Sequence, residues 1–551
     1  MAIMVVQGGC ATMFVRRKEV RSGNRTYTYV QLVQNHRVDG KPRQKVLLSL
    51  GREDQLDRSQ VDQLMLALRD LTEKVEVLGS WEEVGLGPGL ELGSAYVLGR
   101  LWEEAGLGEV LRCQMRGRNF ETDLVAAVKA MVLNRCLDPQ SKLATVEWLE
   151  GVYLPECRGL EVHHLYRALD LLCARKERIE EALYGRLTDL FSVDVSVVFY
   201  DTTLVTMHGE TGGLVQYGRN GVPQFLLSLA LSRDGLPIAH ELFPGNTVDV
   251  STVKAAMDQL SRRFGISRCI LVGDRGTVSA ENLEGLRQAG YDYIVGVRMR
   301  QGGQTHDRVL ATPGRYAQIR ENLFVKEAEV DGGRYLICYN PQEADHDREV
   351  RQAILAQLED DLRDLRPDSR KAAELWSHPL KARFLRRLKD GSLRLDRARA
   401  AEEARYDGKY VLRTSRRDLE ASEVALVYHQ LLTVERSFRS LKSLQQIAPV
   451  FHYHDRRIRA HVFVCVLAHL LERLLENKLH ATGMEITASR ALRQLARLQL
   501  IPAAIGQKHW LVRTDVTPQA AAILAALRYR LPPKLQEVIT PSPAPARGAK
   551  V

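Results

Sequence analysis

Two aspartates in this sequence each stand directly after a short apolar segment that is typical of a β-strand. Asp201 follows the apolar residues 197–200, and Asp274 follows residues 270–273, Ile-Leu-Val-Gly. In α/β sheets reactive groups gather where strands end, so both carboxylates could project over the same sheet edge. Two aspartates placed in this way can share a divalent metal ion, which prefers oxygen ligands. The alternative for either residue alone is an Asp that only caps the turn after its strand.

A third carboxylate, Glu435, belongs to a segment with the periodicity of a helix that begins near Ser422. Apolar residues recur there at steps of three and four, which predicts one buried stripe: Val424, Val427, Leu431, Val434, Phe438 and Leu441. Beside this stripe, Tyr428, Glu435 and Lys442 are seven residues apart and therefore form a line along one edge of the buried face. From that edge Glu435 could face the sheet and complete a metal site. Taken alone, it could also belong to a solvated helix face together with its basic neighbours.

The three carboxylates lie in three motifs that follow one another in a fixed order. These are Phe-Tyr-Asp-Thr-Thr at 199–203, Val-Gly-Asp-Arg-Gly at 272–276, and the Tyr, Glu and Lys within 428–442. Together they resemble the bacterial insertion-sequence transposases of DDE type, in the group with a Tyr-Arg-Glu-Lys signature. The resemblance covers roughly residues 193–475. It implies an RNase H-like catalytic core with an insertion between its last strand and the glutamate helix.

This resemblance also implies a chemistry, the metal-dependent cleavage and strand transfer of DNA at the ends of an insertion sequence. Asp201 is expected to bridge two Mg²⁺ ions, for which Mn²⁺ would substitute, while Asp274 and Glu435 each complete the site of one ion. Without metal, three clustered carboxylates repel one another, so we expect a site that is incomplete in the metal-free protein. The expected partner is double-stranded DNA, both the terminal inverted repeats of the element and the target, bound by a homodimer.

Five further side chains are candidates for contacts with DNA. Tyr428 and Lys442 occupy signature positions that imply binding of the backbone near the cleaved end, and Arg275 stands beside the second aspartate. The full set is Tyr428, Lys442, Arg275, Arg436 and Arg439. The alternative is a core tyrosine with solvated charges around it.

The sequence departs from the family signature at one position. Where the signature has an arginine three residues after the tyrosine, this chain has Leu431, which falls on the predicted buried stripe. Leu431 cannot bind phosphate, so we expect Gln430, Arg436 or Arg439 to substitute for that arginine.

Composition is compatible with these expectations. The 551 residues carry 78 Lys and Arg against 68 Asp and Glu, a net charge of +10, which tolerates a polyanionic partner without proving one. No apolar run reaches the roughly 20 residues that a membrane span needs. The 8 cysteines are scattered singly, which is typical of reduced thiols. We therefore expect a cytoplasmic, nucleoid-associated protein.

The sequence pattern predicts an α/β protein with an interrupted RNase H-like mixed-sheet core, preceded by a β-hairpin and a mainly helical domain. The hairpin is predicted over 27–50 with a turn at Asp39 and Gly40, and a helix over 59–76. Six regions follow: 1–92 with hairpin and helix, a helical DNA-binding domain at 93–192, the first part of the core at 193–300, an insertion subdomain at 301–421, the glutamate helix and C-terminal helices at 422–530, and a flexible tail at 531–551.

Two other functions are compatible with the same residues. An RNase H-like nuclease would use the three carboxylates to cleave without joining, and assays of strand transfer with pre-cut ends would separate it from a transposase. A catalytically decayed copy would only bind DNA, and the presence of Asp201, Asp274 and Glu435 argues against it.

Overall fold

The computed structural model describes most of the chain: residues 13–23, 25–38, 41–57, 59, 84–115, 123–191, 193–207, 212–218, 221–248, 251–274, 279–300, 303–367, 369–448, 450, 452–505 and 508–537. The predicted turn at Asp39 and Gly40, nearly all of the predicted helix over 59–76, and Arg275 lie outside these residues. The chain divides into two compact units, one of Met1–Gly87, Ile501–Val512 and Leu535–Val551, the other of Pro88–Leu500 and Arg513–Lys534.

The first unit begins with an antiparallel sheet of three strands, β1 (Met13–Ser22), β2 (Arg25–Val38) and β3 (Lys41–Arg52). Strands β2 and β3 correspond to the hairpin predicted over 27–50. Strand β1 was not predicted from the sequence, because charged side chains interrupt its apolar residues. Another strand of this unit, β4 (Val84–Leu86), follows later in the chain.

The second unit opens with the short strand β5 (Leu90–Glu91) and then a run of helices, as the periodicity predicts. The helices are α1 (Gly93–Glu104), α2 (Leu107–Met115), α3 (Leu124–Leu137), α4 (Lys142–Trp148) and α5 (Val162–Phe191). The side chain of Asp123 caps α3 by accepting hydrogen bonds from the backbone N–H groups of Val125 and Ala126. Nearly every residue of α3 is buried, because this helix is apolar around most of its circumference.

A mixed sheet follows the helices. Its first strands are β6 (Val197–Thr206), β7 (Gln216–Tyr217), β8 (Pro223–Leu231) and β9 (Pro237–Pro244), and then helix α6 (Thr252–Phe264), β10 (Ile270–Gly273), helix α7 (Ala280–Gln288) and β11 (Asp292–Val297). Strand β10 pairs in parallel with β6 and with β11, whereas β6, β8 and β9 pair antiparallel. This mixed α/β arrangement is the RNase H-like core that the motifs imply.

The next segment adds four strands to the same sheet. It contains α8 (Gly303–Ala311), β12 (Ala317–Arg320), β13 (Leu323–Val330), β14 (Gly333–Tyr339), α9 (Pro341–Leu362), α10 (Arg370–Ser377), β15 (Leu385–Arg387), β16 (Leu393–Leu395), α11 (Arg397–Glu403) and β17 (Lys409–Thr414). The order in the ten-stranded sheet is β12-β13-β14-β17-β11-β10-β6-β8-β7, with β9 on β8.

The insertion is therefore narrower than the predicted subdomain at 301–421. Strand β17 pairs antiparallel with β11, and β14 pairs with β17, so strands from both ends of this region extend the core sheet. Between β14 and β17, the helices α9 to α11 and the hairpin β15–β16 pack around a small hydrophobic cluster of their own, which includes Leu358, Leu375, Phe384 and Leu385. The boundary of the insertion depends on pairing between strands that are distant in the sequence, so a local sequence pattern cannot predict it.

The last part of the second unit is mainly helical. It contains α12 (Ala421–His429), α13 (Leu432–Arg439), a π-helical turn (Ser440–Leu444), α14 (Asp455–His480), α15 (Ala488–Leu495) and α16 (Pro518–Leu527). The strands of this part of the chain, β18 (Gln499–Ile505), β19 (Lys508–Arg513) and β20 (Leu535–Glu537), belong entirely or for the most part to the first unit. Strand β20 pairs with β19 inside the segment that we predicted to be a flexible tail, so that prediction is wrong for these three residues.

The two largest hydrophobic cores among the described residues lie in the second unit. The helices before the sheet share one core with the C-terminal helices, in which Met131, Leu169 and Phe463 are buried together. A second core lies between one face of the sheet and the segment from Val424 to Leu441. The helical residues 93–192 are consequently not separate from the rest of this unit. In the described part of the chain, no helix is both long enough and apolar enough to cross a membrane.

Candidate active site

The register of two parallel strands places Asp201 and Asp274 side by side. Tyr200 of β6 is the partner of Gly273 of β10, and each aspartate is the next residue along its chain. Neighbouring strands in a sheet lie about 4.8 Å apart. The structure therefore brings the two aspartates to the same sheet edge, as their sequence contexts predict.

Strand β6 does not end before Asp201, in contrast to the prediction. Only its parallel pairing with β10 ends at Tyr200, whereas its antiparallel pairing with β8 continues to Thr206 and places Asp201 opposite Leu229. The apolar run stops at 200 because the strand emerges from the core there, and the next three residues are only partly buried. The backbone of Asp201 is therefore paired with β8 on one side, whereas the pairing of β6 with β10 has already ended on the side of Asp274.

The helix that carries Glu435 is broken, although the sequence pattern predicts one continuous helix. Helix α12 ends at His429, and Glu435 lies in the short helix α13. Between them the backbone N–H of Leu431 donates to the carbonyl of Tyr428 at 2.9 Å, and that of Val434 donates to the carbonyl of Leu431 at 2.9 Å. Hydrogen bonds between residues three apart are typical of a 3₁₀-helix, which is tighter than an α-helix, so the helix is interrupted here. The apolar stripe nevertheless stays directed inwards, because Val424, Leu431, Val434, Phe438 and Leu441 are all buried.

Of the three residues spaced by seven, the first and the last, Tyr428 and Lys442, contact the strand segments of the sheet that carry the aspartates. The Tyr428 hydroxyl donates a hydrogen bond to Asp274 Oδ1 at 3.2 Å, and Lys442 Nζ donates to Thr203 Oγ1 at 2.7 Å. Desolvation of its ammonium group lowers the pKa of Lys442 below the usual value for lysine. Tyr428 thus contacts the residue that follows β10, and Lys442 contacts β6. Glu435 lies between Tyr428 and Lys442 in the sequence.

A cavity of about 430 Å³ opens beside Asp274 and Glu435. Its wall contains Tyr428, whose ring stacks on that of Tyr410 with centroids 5.8 Å apart and an interplanar angle of 27°. The residues that line it are Asp274, Arg320, Asn322, Leu323, Asn340, Tyr410, Tyr428, His429, Leu431, Leu432 and Glu435. Asp201 is outside this lining, on the adjacent strand.

The donor chemistry of the three carboxylates fits a hard divalent cation, which binds oxygen ligands. Their side chains do not converge as they stand, since no group of three His, Cys, Asp or Glu side chains within the described ranges is placed to hold a metal ion. Asp274 and Glu435 are exposed and Asp201 is partly buried, so all three are accessible to an ion.

The candidates for DNA contacts are distributed unevenly around the cavity. Tyr428 lines it and Lys442 contacts β6, whereas Arg436 and Arg439 are exposed and are not part of its lining. Arg275 lies outside the described residues. Leu431 is buried as predicted and forms part of the cavity wall.

Besides His429, four polar residues of the cavity were not found by sequence analysis: Arg320, Asn322, Asn340 and Tyr410. They belong to β12, β14, β17 and the turns beside them, in the segment that the sequence assigns to an insertion. None lies in a motif or at a recognisable spacing from the carboxylates. The only available signal was that residues 323–330 and 409–413 are strand-like, so that they could extend the core sheet.

Comparison with known proteins gives two family matches and similarity to several solved structures. A family model described as Transposase DDE domain matches residues 194–471, which is half of the chain, and a model described as IS1634 family transposase, N-terminal domain, matches residues 15–77. A chain in the cryo-EM structure of a piggyBac transposase synaptic complex with hairpin DNA is similar with a TM-score of 0.37 and 10% sequence identity, over 73% of this chain and 79% of that chain. The comparison with curated proteins gave no match.

Proposed function

Because this chain belongs to the family of transposases with a DDE domain, we propose that Asp201, Asp274 and Glu435 are the carboxylates with which it cuts and joins DNA. It is an enzyme of DNA transposition, encoded by an insertion sequence. The assignment rests on one observation: the glutamate segment is attached to both aspartate-bearing strand segments, by Tyr428 to Asp274 and by Lys442 to β6.

Enzymes of this family generally use divalent metal ions. In this chain Asp201, Asp274 and Glu435 would hold two Mg²⁺ ions, replaceable by Mn²⁺. When bound, such ions activate the attacking oxygen and stabilise the leaving oxygen of an in-line displacement at a phosphodiester. The hydrogen bond from Tyr428 orients the Asp274 carboxylate, and the contact between Lys442 and Thr203 holds the glutamate segment against β6.

The DNA backbone would run over the edge of the cavity. Tyr428 and Lys442 would contact its phosphates near the cleaved end, and the exposed Arg436 and Arg439 would extend this surface away from the cavity. Arg275, beside the second aspartate in sequence, would also reach a phosphate. Membership of the group with a Tyr-Arg-Glu-Lys signature is part of this proposal.

The ends of the element would be recognised by the helical region 93–192 and the N-terminal sheet, in a homodimer that pairs two ends. The sheet exposes basic side chains, among them Lys18, Arg21, Arg43 and Lys45. We expect the double substitution Arg43→Ala with Lys45→Ala to weaken binding to the element's ends and to leave joining of an end supplied at high concentration intact. Equal binding by the variant would contradict this role. The active dimer would work in the cytoplasm, associated with the nucleoid.

The experiment that tests the active site uses the full chain and a labelled duplex that carries the ends of its own element. Products are resolved after incubation with Mg²⁺, with Mn²⁺ and with EDTA, for the unmodified protein and for Asp201→Ala. Nicking at the element boundary and joined products should require metal and disappear in the variant, while DNA binding persists. Cleavage by the Asp201→Ala protein would overturn the assignment, and cleaved products that never join would favour a nuclease.

A further inference from the structure

The cavity beside Asp274 and Glu435 has a positively charged side chain in its wall, that of Arg320. Among the described residues that line it, Arg320 is the only lysine or arginine. The described lining otherwise contains two carboxylates, two asparagines, two tyrosines, three leucines and His429. An anionic group that enters this cavity therefore meets the permanent positive charge of Arg320.

The position of Arg320 is defined by two contacts. It is the last residue of β12 and pairs across the turn with Leu323, a buried residue of the same cavity wall. Its guanidinium contacts the ring nitrogen Nε2 of His429, which is the last residue of α12 and follows Tyr428 directly. The end of the sheet and the end of the helix thus hold the guanidinium at the wall, next to the tyrosine that contacts Asp274.

The charge of Arg320 differs in its surroundings from that of two other arginines of the same region. Arg308 forms an ion pair with Asp331 at 2.8 Å, and Arg334 forms one with Glu327 at 2.9 Å. No carboxylate in the described ranges pairs with Arg320. Burial, Arg320 itself and Arg436 lower the pKa of His429 below its usual value, so the imidazole is neutral at neutral pH and accepts the guanidinium hydrogen bond.

We propose that Arg320 binds a phosphate of the DNA strand that is cut at Asp274 and Glu435. A phosphodiester is an anion, and carboxylates beside it repel it unless cations compensate. A guanidinium presents a planar fork of N–H donors that fits two phosphate oxygens at once. Arg320 has the charge, the access and the position for this contact, because it is exposed and lines the same cavity as Asp274 and Glu435.

The nearby residues that could compete for this role are less suited to it. Arg436 and Arg439 do not line the cavity, and Leu431, which does, is apolar and buried. The positive charge therefore comes from a strand more than a hundred residues earlier in the chain rather than from the helix that carries Glu435. This inference rests on the proposed function, because it requires DNA to be cleaved at these carboxylates.

The test compares Arg320→Ala and Arg320→Lys with Arg315→Ala, an exposed arginine of the same segment that is not part of the cavity. Cleavage of the element's ends is measured at saturating DNA and Mg²⁺, and thermal unfolding checks that each variant is folded. Loss of a charge-assisted hydrogen bond predicts a fall in cleavage of about 10- to 100-fold for Arg320→Ala. A smaller loss is expected for Arg320→Lys, which keeps the charge without the fork, and no loss for Arg315→Ala.

A second measurement identifies the contact itself. Each phosphate next to the cleaved bond is replaced in turn by a neutral methylphosphonate, and the cleavage rates of the unmodified protein and Arg320→Ala are compared. At the contacted phosphate, the replacement should slow the unmodified protein but add little to the defect of the variant. Additive losses at every phosphate, or a rate for Arg320→Ala equal to that of Arg315→Ala, would overturn the proposal. Failure of the unmodified protein to cleave would instead contradict the proposed function.

Discussion

Two clusters of acidic side chains in this chain have opposite surroundings. The candidate catalytic cluster, Asp201, Asp274 and Glu435, lies at a sheet edge where its members are exposed or only partly buried. The second, which we call the buried ion-pair cluster, joins α5 to β9 and α6. Its members are Lys176, Glu180, His240, Glu241 and Arg263.

Glu180 is the centre of the buried ion-pair cluster. One of its carboxylate oxygens lies 3.1 Å from Lys176 Nζ and 2.8 Å from an Arg263 nitrogen, and the other lies 2.8 Å from His240 Nδ1. Burial by itself raises the pKa of Glu180, but Lys176, His240 and Arg263 outweigh burial and lower it to about 2. The carboxylate is therefore ionised and saturated with protein partners.

The difference separates two uses of the same functional group. Around Glu180, Lys176 and Arg263 occupy one carboxylate oxygen and His240 faces the other, so this cluster holds three elements together and has no capacity left for a metal. At the sheet edge, Asp274 accepts a hydrogen bond from the neutral hydroxyl of Tyr428. Glu435 is exposed and forms no ion pair in the described part of the chain, so its carboxylate remains available as a ligand. The following predictions test this contrast, from the largest expected effect to the smallest.

Removing a ligand from the candidate catalytic cluster should abolish chemistry and leave the fold intact. We expect Asp274→Asn and Glu435→Gln each to reduce the cleavage rate by about 1,000-fold or more, because metal activation of the attacking oxygen is lost. Affinity for the element's ends, measured by fluorescence anisotropy, and the thermal unfolding temperature should stay close to those of the unmodified protein. A large fall in the unfolding temperature would mean that these carboxylates are structural after all.

Removing the charge of Glu180 should have the reverse effect. Breaking a buried ion pair leaves its partners uncompensated and costs about 3–5 kcal/mol of unfolding free energy, so we expect a loss of this size for Glu180→Gln in urea denaturation. Glu181→Gln is the matched control, because Glu181 contacts the same Arg263 at 3.0 Å but is more than a third exposed. The control should lose less than about 1 kcal/mol. Equal stability of the two variants would remove the contrast between the clusters.

The lowered pKa of Glu180 should make the free energy of unfolding decrease at acid pH. The folded-state pKa of Glu180 is about 2 against an ordinary value of 4.5, so its contribution is complete above pH 4.5 and is lost as the pH falls towards 2. At about 1.4 kcal/mol per pKa unit, the loss over that range is about 3 kcal/mol. The difference in unfolding free energy between the unmodified protein and Glu180→Gln should therefore shrink below pH 4.5. A difference that is constant with pH would show that Glu180 is not ionised in the folded protein.

The smallest effect is expected where the two halves of the active site are joined. Thr203→Val removes the acceptor of the Lys442 hydrogen bond and loosens the glutamate segment against β6, for which we expect a fall in cleavage of roughly tenfold with unchanged DNA affinity. Thr206→Val, at an exposed position on the same strand, is the control and should cleave normally. If both variants cleave equally well, the Lys442 contact does not position Glu435.

Much of the candidate catalytic cluster could be predicted because its signals are local. A short apolar run before an aspartate, or polar residues seven apart beside an apolar stripe, can be recognised within a window of about 15 residues. The strand predicted over 323–330 is present as Leu323–Val330, and the predicted stripe from Val424 to Leu441 faces the core. Helix and strand periods are properties of the backbone, so they appear in the sequence directly.

The features that sequence analysis missed depend on contacts between residues that are distant in the sequence. The extension of the sheet by β12 to β14 and β17, the narrower insertion and the presence of Arg320 and Tyr410 in the cavity all depend on pairing between distant segments. The buried ion-pair cluster was missed for the same reason, because Lys176 and Glu241 lie 65 residues apart. The break after His429 has no proline or glycine to mark it, so packing rather than helix propensity decides it.

The sequence by itself determined the family to which the chain belongs, the three carboxylates that we propose for its chemistry, and the strand and helix types that carry them. Only the tertiary structure decided what surrounds those groups, namely which cation faces the cavity, which strands complete the sheet and which acidic residues are used up in ion pairs. The physical reason is that backbone periodicity acts over a few residues, whereas charge compensation and burial depend on which distant segments share the same space.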